Sequence, residues 1–230
     1  MPKKTGHKKL YVAIILIAIL VVATAAIVYG TTLSKPTSIV GVHVGDTFTY
    51  RITGTSVLNS AAAVTPAGFD VYNQTDHYTV TVTGVVGTKV SLDTVWLFLN
   101  GTQITSSQTI DLATGNKTDP NGFWPLYPSN LKTGDLLYPK GTDGQIVNAT
   151  DTLTYANNST RGRNYWYIEN LFKDINDPTG NTQRDEYDSV YFDQQTGMLI
   201  VLNNVQYYNN PEYALIVTWQ LISSNVWTVT

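Results

Sequence analysis

With 230 residues, the chain has room for one domain and an anchor, and an apolar content of 43% can build a packed core, which excludes wholesale disorder. Charged residues make up only 13% and cysteine is absent, which excludes disulfides, thiolate catalysis, thiolate metal sites and a lipid-modified cysteine. From Thr31 onward 10 basic residues face 17 acidic ones, a net of −7 that would repel phosphate backbones and leaves nucleic acid no electrostatic footprint.

The basic residues that remain are concentrated at the start. Lys3, Lys4, Lys8 and Lys9 make residues 1–9 a basic tail, and residues 10–29 then run without a charge through Ile14, Ile15, Leu16, Ile17, Ile19 and Leu20. As a helix this run spans about 30 Å, the thickness of the hydrocarbon core of a bilayer. The leading lysines favour a cytoplasmic N-terminus, so the expectation is a single-pass anchor in the cell membrane with the rest of the chain outside. A competing reading is open at Ala23-Thr24-Ala25, whose small-x-small form allows cleavage near Ala25 and release of a secreted product.

Residues 30–40, with Ser34, Lys35 and Pro36, read as a polar linker, and 41–230 as an extracytoplasmic β-domain. The 33 Thr and 18 Asn, with Val, Tyr and Trp, suit pleated, half-buried surfaces. Phe48, Tyr50 and Ile52 alternate with Thr47, Thr49, Arg51 and Thr53, and Tyr78, Val80 and Val82 alternate with threonines in the same two-residue period. The chain returns through Val90, Leu92, Trp96 and Phe98, and Asn100-Gly101 closes a tight hairpin. Later strands are expected over 145–149, 152–156, 163–169, 185–193, 198–207 and 213–223, with 56–73 as a loop. About ten strands and no helix after the anchor predict an all-β fold. It should be an antiparallel curved sheet, half-barrel or sandwich-like, preceded by one N-terminal transmembrane helix.

Two motifs are echoed. Val44-Gly45-Asp46 returns as Thr133-Gly134-Asp135, and the Asp111 to Gly115 pattern Asp-x-x-Thr-Gly returns from Asp193 to Gly197. In each, an Asp can cap its own turn and a Gly can take the left-handed position, so these are turns rather than active sites. Together with Tyr138-Pro139, Val190-Tyr191-Phe192 and the closing Ser224-Asn225-x-Trp227, they resemble a widespread group of archaeal membrane-anchored extracytoplasmic β-domain proteins, from about Gly41 to Trp227. The resemblance implies location rather than an activity. The strand–Asp-x-x-Thr-Gly–strand ending is also similar, more weakly, to the half-barrel sheets of bacterial lipoprotein-carrier proteins.

Chemistry-bearing constellations are few. Six Asn-x-Ser/Thr sequons, at Asn73, Asn100, Asn116, Asn148, Asn157 and Asn158, fall in or beside expected turns and mark a glycoprotein. Asp174, Asn176 and Asp177 are weak calcium candidates, because Pro178 and Thr179 interrupt the oxygen-ligand spacing of an EF-hand loop. His43 and His77 have no partner at ligand spacing, and no nucleophile elbow, phosphate loop or His-Glu-x-x-His occurs. Aromatic residues offer more. Trp124 lies in the proline-rich run Phe123-Trp124-Pro125-Leu126-Tyr127-Pro128, and Arg163, Tyr165, Trp166 and Tyr167 alternate along one strand.

Either set can line a sugar or lipid groove, or simply fill a β-core. In β alternation the more apolar Trp166/Ile168 face looks inward. The expected function is a non-catalytic binding module for an apolar or glycan ligand, without a cofactor. The alternative is a structural cell-envelope protein that packs against envelope partners, and a hydrolase has the least support.

Overall fold

The computed structural model describes residues 39–119, 122–173 and 182–229. The basic tail, the apolar run 10–29, the candidate cleavage site near Ala25, and Asp174, Asn176 and Asp177 lie outside the described residues. Among the described residues no helix is long and apolar enough to cross a membrane.

Nine strands form one open, curved antiparallel sheet. They are β1 (Thr47–Leu58), β2 (Thr75–Val86), β3 (Lys89–Phe98), β4 (Gln103–Asp111), β5 (Ala149–Thr154), β6 (Thr160–Lys173), β7 (Gln183–Asp193), β8 (Leu199–Asn209) and β9 (Glu212–Ser224). The order across the sheet is β4-β3-β2-β1-β9-β8-β7-β6-β5, so every neighbour is a sequence neighbour except the β1–β9 pair. The two-residue period does what the sequence implies: Phe48, Tyr50, Ile52, Tyr78, Val80 and Val82 are buried while the residues between them are not. Asn100-Gly101 turns the chain from β3 into β4, with Gly101 at φ 81°.

Two expectations change. Residues 56–58 are not loop but the end of β1, where Ser56, Val57 and Leu58 pair with Leu215, Ala214 and Tyr213 of β9. Backbone pairing holds this end rather than a buried face, so there is no burial period to read. Residues 145–149 do not form a separate strand. Ile146 makes one isolated bridge to Leu136, and β5 begins at Ala149.

The described residues of the connection between β4 and β5, 112–119 and 122–148, cross one face of the sheet and plug it. They bury Leu112, Leu126, Tyr127, Leu131, Leu137, Tyr138 and Val147 in the same core as Phe48, Tyr50, Leu92, Val190 and Phe192. The plug is fastened by its backbone: Leu126 bridges Met198, the Tyr127 N–H donates to the Gly197 carbonyl at 2.9 Å, and the Leu199 N–H donates to the Pro125 carbonyl at 2.8 Å. Gly197, at φ 78°, permits this approach, since a Cβ there would stand 1.9 Å from the Tyr127 carbonyl oxygen.

The echoed motifs are built alike. In one, the His43 N–H donates to Asp46 Oδ2 at 2.8 Å. In the other, the Lys132 N–H donates to Asp135 Oδ2 at 2.7 Å. The Gly45 and Gly134 amides then bond to the Val82 and Val147 carbonyls, both at 2.9 Å. In the second Asp-x-x-Thr-Gly turn, Asp193 is fully buried. It accepts from the Thr196 N–H and hydroxyl and takes a bidentate pair from Arg161 at 2.7 and 2.8 Å. These are turn and packing devices.

Candidate functional site

The plug meets β6 around a cavity of about 160 Å3 lined by Trp124, Tyr127, Leu137, Tyr138, Asp143, Gln145, Trp166 and Ile168. Strand pairing sets one wall. Trp166 faces Val190, and Ile168 faces Asp188, in an unbroken β6–β7 register, so both side chains project from the plugged face. The loop supplies the other wall. Proline on either side, at Pro125 and Pro128, suits this run to a loop, and the bridge from Leu126 to Met198 fixes where Trp124 and Tyr127 stand.

The rings contact one another in sequence around the cavity. Trp124 stacks on Tyr138 with centroids 5.7 Å apart, Tyr138 lies 6.4 Å from Tyr127, and Tyr127 meets Trp166 edge-on at 6.2 Å. Lys117 places its ammonium 4.6 Å from the centre of the Trp124 ring and donates to the Gly122 carbonyl. Burial pushes the Lys117 pKa down, with Asp119 opposing the shift. Burial also pushes the Tyr127 and Tyr138 hydroxyls well up, so both stay protonated at physiological pH.

The cavity walls hold polar atoms without hydrogen-bond partners, as does the Tyr155–Trp227 pair elsewhere in the core. The Trp124 and Trp166 indole nitrogens and the Tyr138 hydroxyl are buried, and none has a hydrogen-bond partner. Each indole lies near a tyrosine hydroxyl, Trp166 by Tyr127 and Trp124 by Tyr138, close enough to favour that phenolate slightly. Neither contact reaches hydrogen-bond geometry. An unsatisfied buried polar group costs about 1–3 kcal/mol, so three in one cavity call for a physical reason.

The structure separates the sequence candidates by face. It brings Trp124 and Trp166 into one cavity although they are on different elements. Arg163, Tyr165 and Tyr167 project from the opposite face. There Arg163 forms a bidentate pair with Asp151 at 2.8 and 2.6 Å and lies 4.4 Å from the Tyr191 ring centre, Tyr165 packs on Tyr191 at 4.8 Å, and Tyr167 lies 6.3 Å from Tyr187. Tyr138, Asp143, Gln145 and Ile168 join the cavity without having been singled out as site residues. Tyr138 could be suspected because it follows the echoed Gly134-Asp135 turn, whereas nothing in the sequence marks Asp143 or Gln145.

All six sequon asparagines are exposed. Asn100 and Asn157 fold their side-chain oxygens back onto their own turns, and the Asn148 oxygen accepts from the Tyr167 N–H at 2.8 Å. Asn73 differs, because its amide clamps both the N–H and the carbonyl of Gly54 at 2.9 and 2.7 Å. Among the described residues no group of three or more His, Asp or Glu side chains could hold a metal ion.

No protein-family model matches the chain, and a search of curated proteins finds no match.

Proposed function

We propose that this chain is a non-catalytic binding module, displayed outside the cell on a membrane anchor formed by residues 10–29, whose ligand enters the aromatic cavity. One observation carries the reading: four aromatic rings from two different elements, Trp124, Tyr127 and Tyr138 from the plug and Trp166 from β6, wall a single cavity, and two of their indole N–H groups and one phenol O–H have no hydrogen-bond partner. Such a site suits a ligand with an apolar body and acceptor oxygens. A sugar ring has both, because its C–H face lies against aromatic rings while its hydroxyls accept from the donors. Asp143 and Gln145 add acceptors for those hydroxyls and favour a glycan over a purely apolar ligand. The volume is below the roughly 300–1,000 Å3 of drug-sized sites, so the cavity takes one ring or a chain end rather than a whole lipid.

The uncharged run behind four lysines, the exposed sequons and the resemblance to archaeal membrane-anchored proteins support the extracytoplasmic placement. Glycans fit Asn100, Asn116, Asn148, Asn157 and Asn158 better than Asn73, where the clamp on Gly54 would be lost. Among the cavity's lining residues Asp143 is the one carboxylate, which leaves no acid–base pair and underlies the non-catalytic assignment.

Native mass spectrometry and tryptophan-fluorescence titration of the detergent-extracted chain test this reading. A retained hexose-containing ligand, or a saturable emission change with a mono- or disaccharide that Trp166→Ala abolishes, is the expected result. No retained ligand and no saturable response to any sugar or short acyl probe would reject it. Protease treatment of intact cells tests the placement, since the β-domain should be cleaved before the membrane is breached.

A further inference from the structure

Each edge of the sheet is covered over only part of its length, and at the β4 edge no backbone partner among the described residues reaches Gln103, Thr105 or Ser107 from outside. At the β4 edge, Lys117 bridges Ile110, and Thr118 bonds the Thr109 backbone through its N–H, at 3.0 Å, and its hydroxyl, at 2.9 Å. At the other edge β5 covers β6 only as far as Tyr165, and a single contact from Asn148 reaches Tyr167. From there to Lys173 nothing among the described residues covers the edge.

Its hydrogen-bonding direction follows from the register. The Tyr165 carbonyl and the Tyr167 N–H both bond Asn148, so odd-numbered residues of β6 turn their backbone groups away from β7. The β6–β7 register then runs without a break to Lys173↔Gln183. Glu169, Leu171 and Lys173 therefore present N–H and C=O groups outward, with no partner among the described residues. Leu171 and Phe172 are 56% and 44% exposed. A long edge with apolar side chains is a template for a further strand.

The same three residues read as their own complement. Glu169 stands two residues before Leu171 and Lys173 two after, and neither charge has an ion-pair partner in its own chain among the described residues. We propose that two copies of this chain pair β6 to β6, antiparallel about Leu171. Glu169 then lies opposite Lys173 of the partner subunit, and the contact occurs twice by symmetry. Leu171 meets Leu171 of the partner subunit on the two-fold axis, and the two nine-stranded sheets become continuous. This pairing does not depend on what the aromatic cavity binds.

The chain has no cysteine, so a single introduced thiol reports cleanly. Directly opposed residues of a hydrogen-bonded antiparallel pair are about 5.5 Å apart at Cα, within disulfide range. Mild oxidation of the full-length Leu171→Cys protein in membranes should give a reducible dimer. Val86→Cys, 78% exposed at the end of β2, should stay monomeric. Glu169→Lys or Lys173→Glu alone should weaken dimerisation of the detergent-extracted protein by about tenfold, because each places like charges opposite one another twice. The double exchange should restore it. Leu171→Pro removes an N–H that the chain's own sheet does not use, and should abolish the dimer without lowering the melting temperature. A monomer at every concentration, crosslinking no better than Val86→Cys, or failure of the double exchange to restore pairing would each overturn the proposal.

Discussion

One sheet carries two regions that obey different rules. In the plugged region, residues such as Phe48, Leu126, Leu137, Phe192 and Leu199 are at most 1% exposed and pack in one core. Past the row formed by Ile52, Trp219, Leu202, Val190 and Trp166, the strands β6 to β9 and the end of β1 continue as a flange that the plug meets only at its border, at Tyr167 and Ile168. Most flange residues are half-buried on both faces. Ladder pairing and cross-strand polar contacts hold it. Asn204 Nδ2 donates to Glu186 and Asp188 at 2.8 Å, Gln206 donates to Asn204 at 3.0 Å, and Tyr208 stacks on Tyr213 at 4.4 Å. Alternation therefore makes a strand, but stability depends on what covers its face.

The strongest challenge to this contrast is Gly197→Val. The new Cβ would enter the space of the Tyr127 carbonyl, at a backbone angle β-branched residues avoid, and would push the plug off the sheet. The expected loss is about 3 kcal/mol or more in denaturant unfolding. An unchanged midpoint would mean the plug is not fastened there. A matched pair sharpens the comparison. Leu126→Ala should cost roughly 2–5 kcal/mol, while Val205→Ala in the flange should cost about 1 kcal/mol or less. Equal losses would remove the distinction between the regions.

Trp166 stands on the boundary. It packs against the core but lines the cavity and is only half-buried. Trp166→Ala should fall below the roughly 3–5 kcal/mol typical of a packed tryptophan and should abolish binding of a saccharide probe. A full-sized loss with no ligand bound by the wild type would assign the ring to the core alone.

The sequence showed the plugged region's strands more clearly than what lies over them. Phe48, Tyr50, Ile52, Tyr78, Val80 and Val82 announce their faces because burial on one side enforces the period. The same period places Trp166 and Ile168 on the plugged face and Tyr165 and Tyr167 on the other. The meeting of Trp124 with Trp166 was not legible, because it depends on where the plug crosses the sheet, and no local pattern encodes a long-range crossing. The flange was hidden for a related reason. Residues 53–58, as Thr-Gly-Thr-Ser-Val-Leu, carry no buried face, so only their pairing with β9 makes them a strand.

The smallest expected effect concerns Asp188, on the plugged-side face of the flange opposite Ile168 and Asn204. Burial raises its pKa above the ordinary 3.8, the hydrogen bond from Asn204 opposes the shift, and the nearby Glu186 carboxylate adds to it. A carboxyl whose pKa is raised on folding holds its proton more tightly in the folded chain. Its contribution is fully present below the unfolded value and is lost as pH climbs through the folded one. At neutral pH the flange thus bears a standing penalty for this charge. Asp188→Asn removes the charge and keeps an oxygen to accept from Asn204 Nδ2. The variant should be more stable than wild type near neutral pH, by less than about 1 kcal/mol given partial exposure. That advantage should shrink as pH falls and vanish below the unfolded value of 3.8, where the wild-type carboxyl becomes protonated in both states. Urea midpoints of the two proteins across this range would show it. A difference constant with pH would mean that Asp188 titrates alike in both states and that solvent already reaches this face.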